Sequence, residues 1–380
     1  MKVGEAGEVG EVKVGEAGAA RGSVVAMGLR LLSDGLVART WGNASVRLNA
    51  RFMAITPSGR AYDSIAADDI AIVDLKSGEW SGRAKPSGER GLHAAIYRAR
   101  PDVGAVVHTH QAAASVFAAC AAELPRAGAP SVRSARYALP GTRTLARAAV
   151  AALGAGDAAF LEKHGAVCVG ADAEAALAVA RRLERECADR LAFLSSSAPL
   201  PAPLPARADG AWNPAWIEDL PAAGAEGAEG EDDREGACAV ILSRAPFTAA
   251  FAASGGRLVA SLDDLAQLVG PAVARVRATR GAPRARGSED VVAAAARSLS
   301  RAGAKAGGRC VLVPGAGALC AYPERSDAEA AAMVIEKACA AELAGRLLGG
   351  ARRIPLVEAL LMRTVYLRGY SKLRKISRPR

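Results

Sequence analysis

Two histidines, His108 and His110, close the apolar run Val103-Gly104-Ala105-Val106-Val107, and they are half of the four histidines in a 380-residue chain. The run predicts a β-strand, on which residues i and i+2 project from one face with α-carbons roughly 6.6 Å apart. Both imidazoles can then reach one metal ion. A chelate of that kind needs a strand end held rigid by its neighbours, so the chain must build a sheet around this segment.

Further residues are expected to converge there. Ser87 to Arg100 predicts a helix, with Leu92, Ala95, Ile96 and Ala99 at core spacing, Ser87 as a cap and Pro101 as its stop. At 1.5 Å per residue it runs roughly 20 Å, and the extended return from Gly104 to His110 covers roughly that distance back. Glu89 is thereby expected beside His108 and His110. A third histidine, His164 in Phe160-Leu161-Glu162-Lys163-His164-Gly165, also follows a strand candidate and precedes a turn. Three histidines and one carboxylate make a zinc site of the catalytic type, with a coordination position left for substrate or water. The fourth histidine, His93, lies one helical turn after Glu89 and reads as a packed or hydrogen-bonded helix residue.

With these residues in place, the chain resembles the class II aldolase/adducin superfamily, of the L-fuculose-1-phosphate aldolase type. The resemblance is carried by motifs in order over roughly Ser23 to Leu194: Thr40-Trp41-Gly42-Asn43-Ala44-Ser45-Val46-Arg47, Ile55-Thr56-Pro57-Ser58-Gly59, Pro86-Ser87-Gly88-Glu89, His108-Thr109-His110, Tyr137-Ala138-Leu139-Pro140-Gly141-Thr142-Arg143 and His164-Gly165. It implies a layered α/β/α domain with a largely antiparallel central sheet. It also implies that His108, His110 and His164 bind a divalent metal, usually zinc, that Glu89 is the acid/base, and that Asn43, Ser58, Gly59 and Ser87 form a phosphate pocket. The implied partners are a small phosphorylated sugar and further copies of the chain, in the cytoplasm.

The residue types suit retro-aldol chemistry. Cleavage removes a hydroxyl proton while the breaking C–C bond drives electrons into a carbonyl, and the resulting enediolate is an anion. A divalent cation stabilises that charge, and a carboxylate beside it moves the protons. Two features depart from the sugar-phosphate aldolases. Ser87-Gly88 replaces a pair of hydroxyl residues before the glutamate, and the stretch from His110 to Tyr137 is several residues shorter, with no clear aromatic proton donor. The alternatives are an epimerase or a dehydratase with the same site, and a non-catalytic adducin-like interaction module. Glutamate rather than aspartate at position 89 favours the aldolase over the epimerase, and the retained histidines speak against a pure interaction module.

Composition bounds the remainder. Hydrophobic residues make up 51% of the chain but aromatics only 4%, so its cores must be built from small side chains. Seven cysteines without a CxxC pair, and no secretory signal, predict free thiols in a reducing cytosol. No apolar run approaches the roughly 20 residues needed to cross a membrane. The net charge of +10 is spread over many arginines, which gives no focused nucleic-acid surface.

Five regions are expected. Residues 1–22 carry a repeated Lys-Val-Gly-Glu-Ala-Gly and read as disordered; 23–194 form the metal-binding domain; 195–236, rich in Pro, Ala, Gly and acid, read as a linker; 237–350 form a smaller degenerate α/β domain; and 351–380 form a basic tail. The fourth region echoes the second. Val311-Leu312-Val313-Pro314-Gly315-Ala316-Gly317-Ala318-Leu319-Cys320 followed by Asp327 parallels Phe160 to Cys168 followed by Asp172, and Ala316 stands where His164 does. No counterpart is expected for the stretch carrying Glu89, His108 and His110, so this region should hold no metal and serve packing, assembly or regulation.

Overall fold

The computed structural model describes residues 14–197, 199–201, 213–220, 239–276, 290–296, 298–299 and 308–370. These divide into two compact units, the first running to Phe193 and the second beginning at Leu194.

The first unit is built on an eight-stranded sheet. In chain order the strands are β1 (Asn43–Arg47), β2 (Phe52–Ile55), β3 (Ala71–Asp74), β4 (Trp80–Ser81), β5 (Ala105–Thr109), β6 (Ser134–Ala135), β7 (Ala158–Leu161) and β8 (Gly165–Gly170), arranged β4-β3-β2-β1-β5-β8-β7-β6. Every pairing is antiparallel except β6 with β7. Helices α2 (Arg90–Ala99) and α4 (Arg143–Leu153) cover one face, where Leu92, Ile96, Leu145 and Ala149 pack on Val106, Leu161 and Val167. Strand alternation sends Phe160 to the other face, where it stacks on Phe117 of α3 (Ala112–Cys120). Helix α5 (Ala173–Leu194) is tied to α3 because buried Glu184 accepts hydrogen bonds from the Ala113 and Ala114 N–H groups at 2.7 and 3.0 Å. Helix α1 (Val14–Ser33) joins that layer through Arg30–Glu174 and Arg181–Asp34 ion pairs. The result is the expected α/β/α layering around a largely antiparallel sheet.

The second unit has six strands, β9 (Ile217–Leu220), β10 (Ala239–Ser243), β11 (Leu258–Val259), β12 (Ala272–Arg275), β13 (Arg309–Val313) and β14 (Gly317–Tyr322), in the order β11-β12-β13-β14-β10-β9. Its helices are α6 (Pro246–Ser254), α7 (Asp263–Leu268), α8 (Arg325–Ala344) and α9 (Leu356–Val365), with a further helical stretch at 290–296. The run β9-β10-β14-β13-β12 reproduces β1-β5-β8-β7-β6, including the single parallel pair, β12 with β13. Details coincide as well. Glu336 of α8 accepts from the Phe247 and Thr248 N–H groups that open α6, as Glu184 does at α3. A Cβ on Gly317 would lie 2.0 Å from the Ser243 carbonyl oxygen, and one on Gly165 would lie 2.3 Å from that of Thr109. Both positions therefore admit only glycine without a backbone shift.

Four expectations are corrected. Residues 14–22 are the first turns of α1 rather than disorder, because the helix propagates back from a half anchored by Val24, Met27 and Leu31, all at most 1% exposed. Residues 217–220, inside the expected linker, pair with β10 as strand β9. The expected tail contains α9, whose Ala359 and Met362 are buried and whose Arg363 bonds the Gln267 carbonyl. Finally, the segment carrying His108 and His110 does have a counterpart: β10 holds the place of β5, with Leu242 and Arg244 at the positions of the two histidines. The repeat was hidden there because only Ala239-Val240 matches Ala105-Val106, while both histidine positions hold other residue types. Residues 1–13, 198, 202–212, 221–236 and 371–380 of the expected disordered segment, linker and tail lie outside the described residues.

Candidate metal centre

Strand β5 delivers His108 to the face occupied by α2, since Val106 two residues earlier packs on that helix. His110 follows just past the strand end. His164 comes from the tight turn Leu161-Glu162-Lys163-His164 between β7 and β8, closed by the His164 N–H to the Leu161 carbonyl at 2.9 Å. Lys163 takes a left-handed conformation there, φ 64°, which costs a non-glycine residue roughly 1 kcal/mol or more. Two contacts offset the strain: its N–H donates to the Ala118 carbonyl, and its Nζ lies 4.4 Å from the centre of the Tyr137 ring.

The three imidazoles converge edge to face, with ring centres 4.6–5.0 Å apart. His108 Nε2 is 3.0 Å from His110 Nε2 and 3.1 Å from His164 Nε2. The ring of His108 is fully buried, and its Nδ1 donates to the Ala166 carbonyl at 2.9 Å, so Nε2 presents its lone pair to the cluster. One in-plane lone pair cannot serve two imidazole donors at once. A shared cation satisfies all three nitrogens, and zinc with nitrogens at roughly 2.0–2.1 Å would space them by about 3.3 Å in a tetrahedral site. His108, His110 and His164 could therefore hold a divalent metal, with the carbonyl behind His108 as the orienting outer partner such sites usually have.

Glu89 is the N-cap of α2, and its N–H donates to Ser87 Oγ at 3.2 Å. Ser87 thus supports the carboxylate residue instead of capping the helix itself. Glu89 Oε2 is 3.3 Å from His108 Nε2 and Oε1 is 3.5 Å from His164 Nε2, with the side chain 14% exposed. Burial pushes the Glu89 carboxyl up, but His108, His164, the Asn43 N–H and His110 outweigh it and hold it down to about 2. It stands ionised beside the cluster.

The four residues assigned by resemblance to a phosphate pocket lie in different settings. Asn43 is 4% exposed and its Nδ2 donates to Glu89 Oε2 at 2.8 Å. The backbone N–H groups of Ser58 and Ser87 are spent on Lys85 and Thr56 carbonyls in the bridge that pairs Pro57 with Pro86. Ser58 and Gly59 sit in a partly exposed turn, Gly59 at φ 71°. Sequence reading missed the working of His93, which is fully buried between Asn43 and Ser45. Its spacing of four residues from Glu89 was the available signal.

Comparisons with known proteins identify the family. The family described as Class II Aldolase and Adducin N-terminal domain matches residues 22–191. A Bacillus thuringiensis serovar kurstaki protein named 5-deoxy-D-ribulose 1-phosphate aldolase is 34% identical over 171 residues, covering 43% of this chain and 80% of that protein. A Rhodospirillum rubrum protein named 5-methylthioribulose-1-phosphate/5-deoxyribulose-1-phosphate aldolase is 39% identical over 157 residues, covering 40% and 70%. An L-ribulose-5-phosphate 4-epimerase of Salmonella paratyphi B is 39% identical over 95 residues, covering 25% and 42%. A solved L-fuculose 1-phosphate aldolase is 29% identical, covers 49% of this chain and 91% of its own, and superposes with a TM-score of 0.45. The family match over residues 22–191, with two aldolase relatives above 30% identity covered for 80% and 70% of their own length, places this chain in the class II aldolase and adducin family.

Proposed function

We propose that the first unit is a metal-dependent aldehyde-lyase that cleaves a small ketose 1-phosphate by reversible retro-aldol chemistry. The observation that carries this reading is the Glu89 carboxylate, 3.3 and 3.5 Å from two nitrogens of the histidine cluster. His108, His110 and His164 would hold the metal, zinc by donor type. A bound divalent cation supplies Lewis-acid stabilisation of the enediolate charge. Glu89 takes the proton of the hydroxyl adjacent to the scissile bond, the C–C bond breaks to release an aldehyde, and the proton returns to the enediolate carbon to give dihydroxyacetone phosphate. An ionised carboxylate is the form this first step requires. Ser58 and Gly59, in a partly exposed turn, are the better placed candidates for the phosphate. The two aldolase relatives act, by their names, on 5-deoxyribulose and methylthioribulose 1-phosphates, and a ketose phosphate of that size is the substrate class proposed here.

The epimerase relative supports a second reading in which the same cluster serves epimerisation of a pentulose phosphate. The purified chain, with its metal content measured, should be assayed against both substrate types. Release of dihydroxyacetone phosphate from a ketose 1-phosphate is the expected result; interconversion of pentulose 5-phosphates without release of fragments would replace the aldolase by the epimerase. We place the enzyme in the cytoplasm as a homo-oligomer, and none of the described helices is long and apolar enough to cross a membrane. The second unit is read as a degenerate copy that holds no metal and serves stability or assembly.

A further inference from the structure

We infer that His93 is a positioning residue for Glu89, acting through Asn43, and that it does so as the neutral tautomer protonated on Nε2. The inference rests on the reading of Glu89 as the acid/base.

The hydrogen-bond chain fixes its own direction. Asn43 lies 2.8 Å from Glu89 Oε2 through one end of its amide and 2.5 Å from His93 Nε2 through the other. The amide presents Nδ2–H to Glu89 Oε2 and its oxygen to His93 Nε2. His93 Nε2 must then be the donor. That leaves Nδ1 as an acceptor for the Ser45 hydroxyl, 2.6 Å away. The Tyr97 hydroxyl completes the line, its proton shared between Ser45 Oγ at 2.9 Å and the Ser45 carbonyl at 3.0 Å. Every donor from Tyr97 to Asn43 points toward Glu89. Ser45, His93 and Tyr97 are at most 1% exposed, and in so dry a setting successive hydrogen bonds polarise one another.

A wrong tautomer would undo the arrangement. With the proton on Nδ1, His93 Nε2 would face the Asn43 oxygen as a second acceptor. The amide would then turn and set its oxygen against Glu89 Oε2. A charged His93 is disfavoured as well, because burial pushes its pKa down to about 3. Helix geometry makes the relay possible, because Glu89, His93 and Tyr97 recur every four residues on one face of α2. Strand β1 supplies Asn43 and Ser45, two residues apart and pointing the same way.

With only four histidines in the chain, selective ¹⁵N-histidine labelling of the full-length, metal-loaded protein can read the tautomer directly by long-range ¹⁵N–¹H correlation. His93→Gln serves both as the assignment control and as the conservative variant, since its amide keeps a donor. His93 should show a protonated Nε2 and a bare Nδ1 at neutral pH. A protonated Nδ1 overturns the inference whatever the activity. In kinetics with the ketose 1-phosphate, His93→Leu should lower kcat by roughly tenfold or more with KM and metal content little changed, and His93→Gln should recover most of the loss. A folded, metal-replete His93→Leu with normal kcat, or a Gln variant no better than Leu, also overturns it. Failure of the wild-type protein to cleave any ketose phosphate removes the lyase reading instead, and the tautomer measurement then decides the hydrogen-bond chain on its own.

Discussion

Glu184 and Glu336 hold the same station in the two units, each accepting two backbone N–H groups at the start of the helix that follows the central strand. Hydrogen bonds to a carboxylate contribute about 1.5–3 kcal/mol each, so the anchor is strong enough to fix the register of the strand before it. If that register is shared down to side-chain direction, Leu242, Arg244 and Ala316 stand where His108, His110 and His164 do. The triple substitution Leu242→His, Arg244→His, Ala316→His should raise bound zinc from about one to about two per chain, measured by elemental analysis. A folded variant that still holds one would limit the correspondence to the backbone.

The first unit's proposed ligands are tested by removal. His108→Ala or His164→Ala should reduce bound metal from about one per chain to a small fraction. Metal retained in full by the His108→Ala/His164→Ala double variant would dismiss the cluster as the binding site.

Glu89→Gln separates binding from turnover. The amide keeps the size of the side chain but cannot take a proton, so metal content should persist while kcat falls roughly 10²- to 10⁴-fold. Undiminished kcat would show that another group moves the proton.

Buried His93 also sets a pH dependence of stability. Its pKa is about 3 when folded, against an ordinary value of 6.5. Between these values the unfolded chain binds the proton and the folded chain does not, so stability falls as pH drops from about 6.5, by roughly 1.4 kcal/mol per unit from this group. Above about 6.5 the contribution is complete. Denaturant titrations from pH 7.5 to 5 on wild type and His93→Gln should show the variant losing less; parallel curves would contradict the assignment.

The close approach at Gly165 gives a structural prediction. Gly165→Ala drives a methyl into the Thr109 carbonyl between His108 and His110, the two proposed metal ligands, and should lower both thermal stability and metal affinity. Gly317→Ala makes the equivalent clash against Ser243 and should lower stability alone.

Much of the site was legible because its chemistry is local. A His-x-His step at a strand end, a glutamate opening the preceding helix and a histidine in a strand turn each leave a pattern within a few residues. What stayed illegible depended on contacts between distant segments. Asn43 reads as a pocket residue until His93 and Glu89, 50 and 46 positions away, are seen to occupy both ends of its amide. Strand β10 repeats β5 through pairing register, with only Ala239-Val240 shared in sequence with Ala105-Val106. Alanine-rich helices such as the start of α1 carry little amphipathic signal, and glycines at 15, 18 and 22 mask a helix that is stabilised further along.

The turn that presents His164 has one further consequence. In the second unit the same four-residue turn, Val313-Pro314-Gly315-Ala316, uses glycine at the left-handed position, φ 73°, while the first unit tolerates Lys163 there. Relieved of any ligand to aim, a duplicated segment drifts to the residue that fits its backbone with least strain, and a lysine kept in that conformation is a scar of use. Such mismatches between residue and conformation, compared across fused copies, offer a way to tell a working repeat from a retired one before any assay is run.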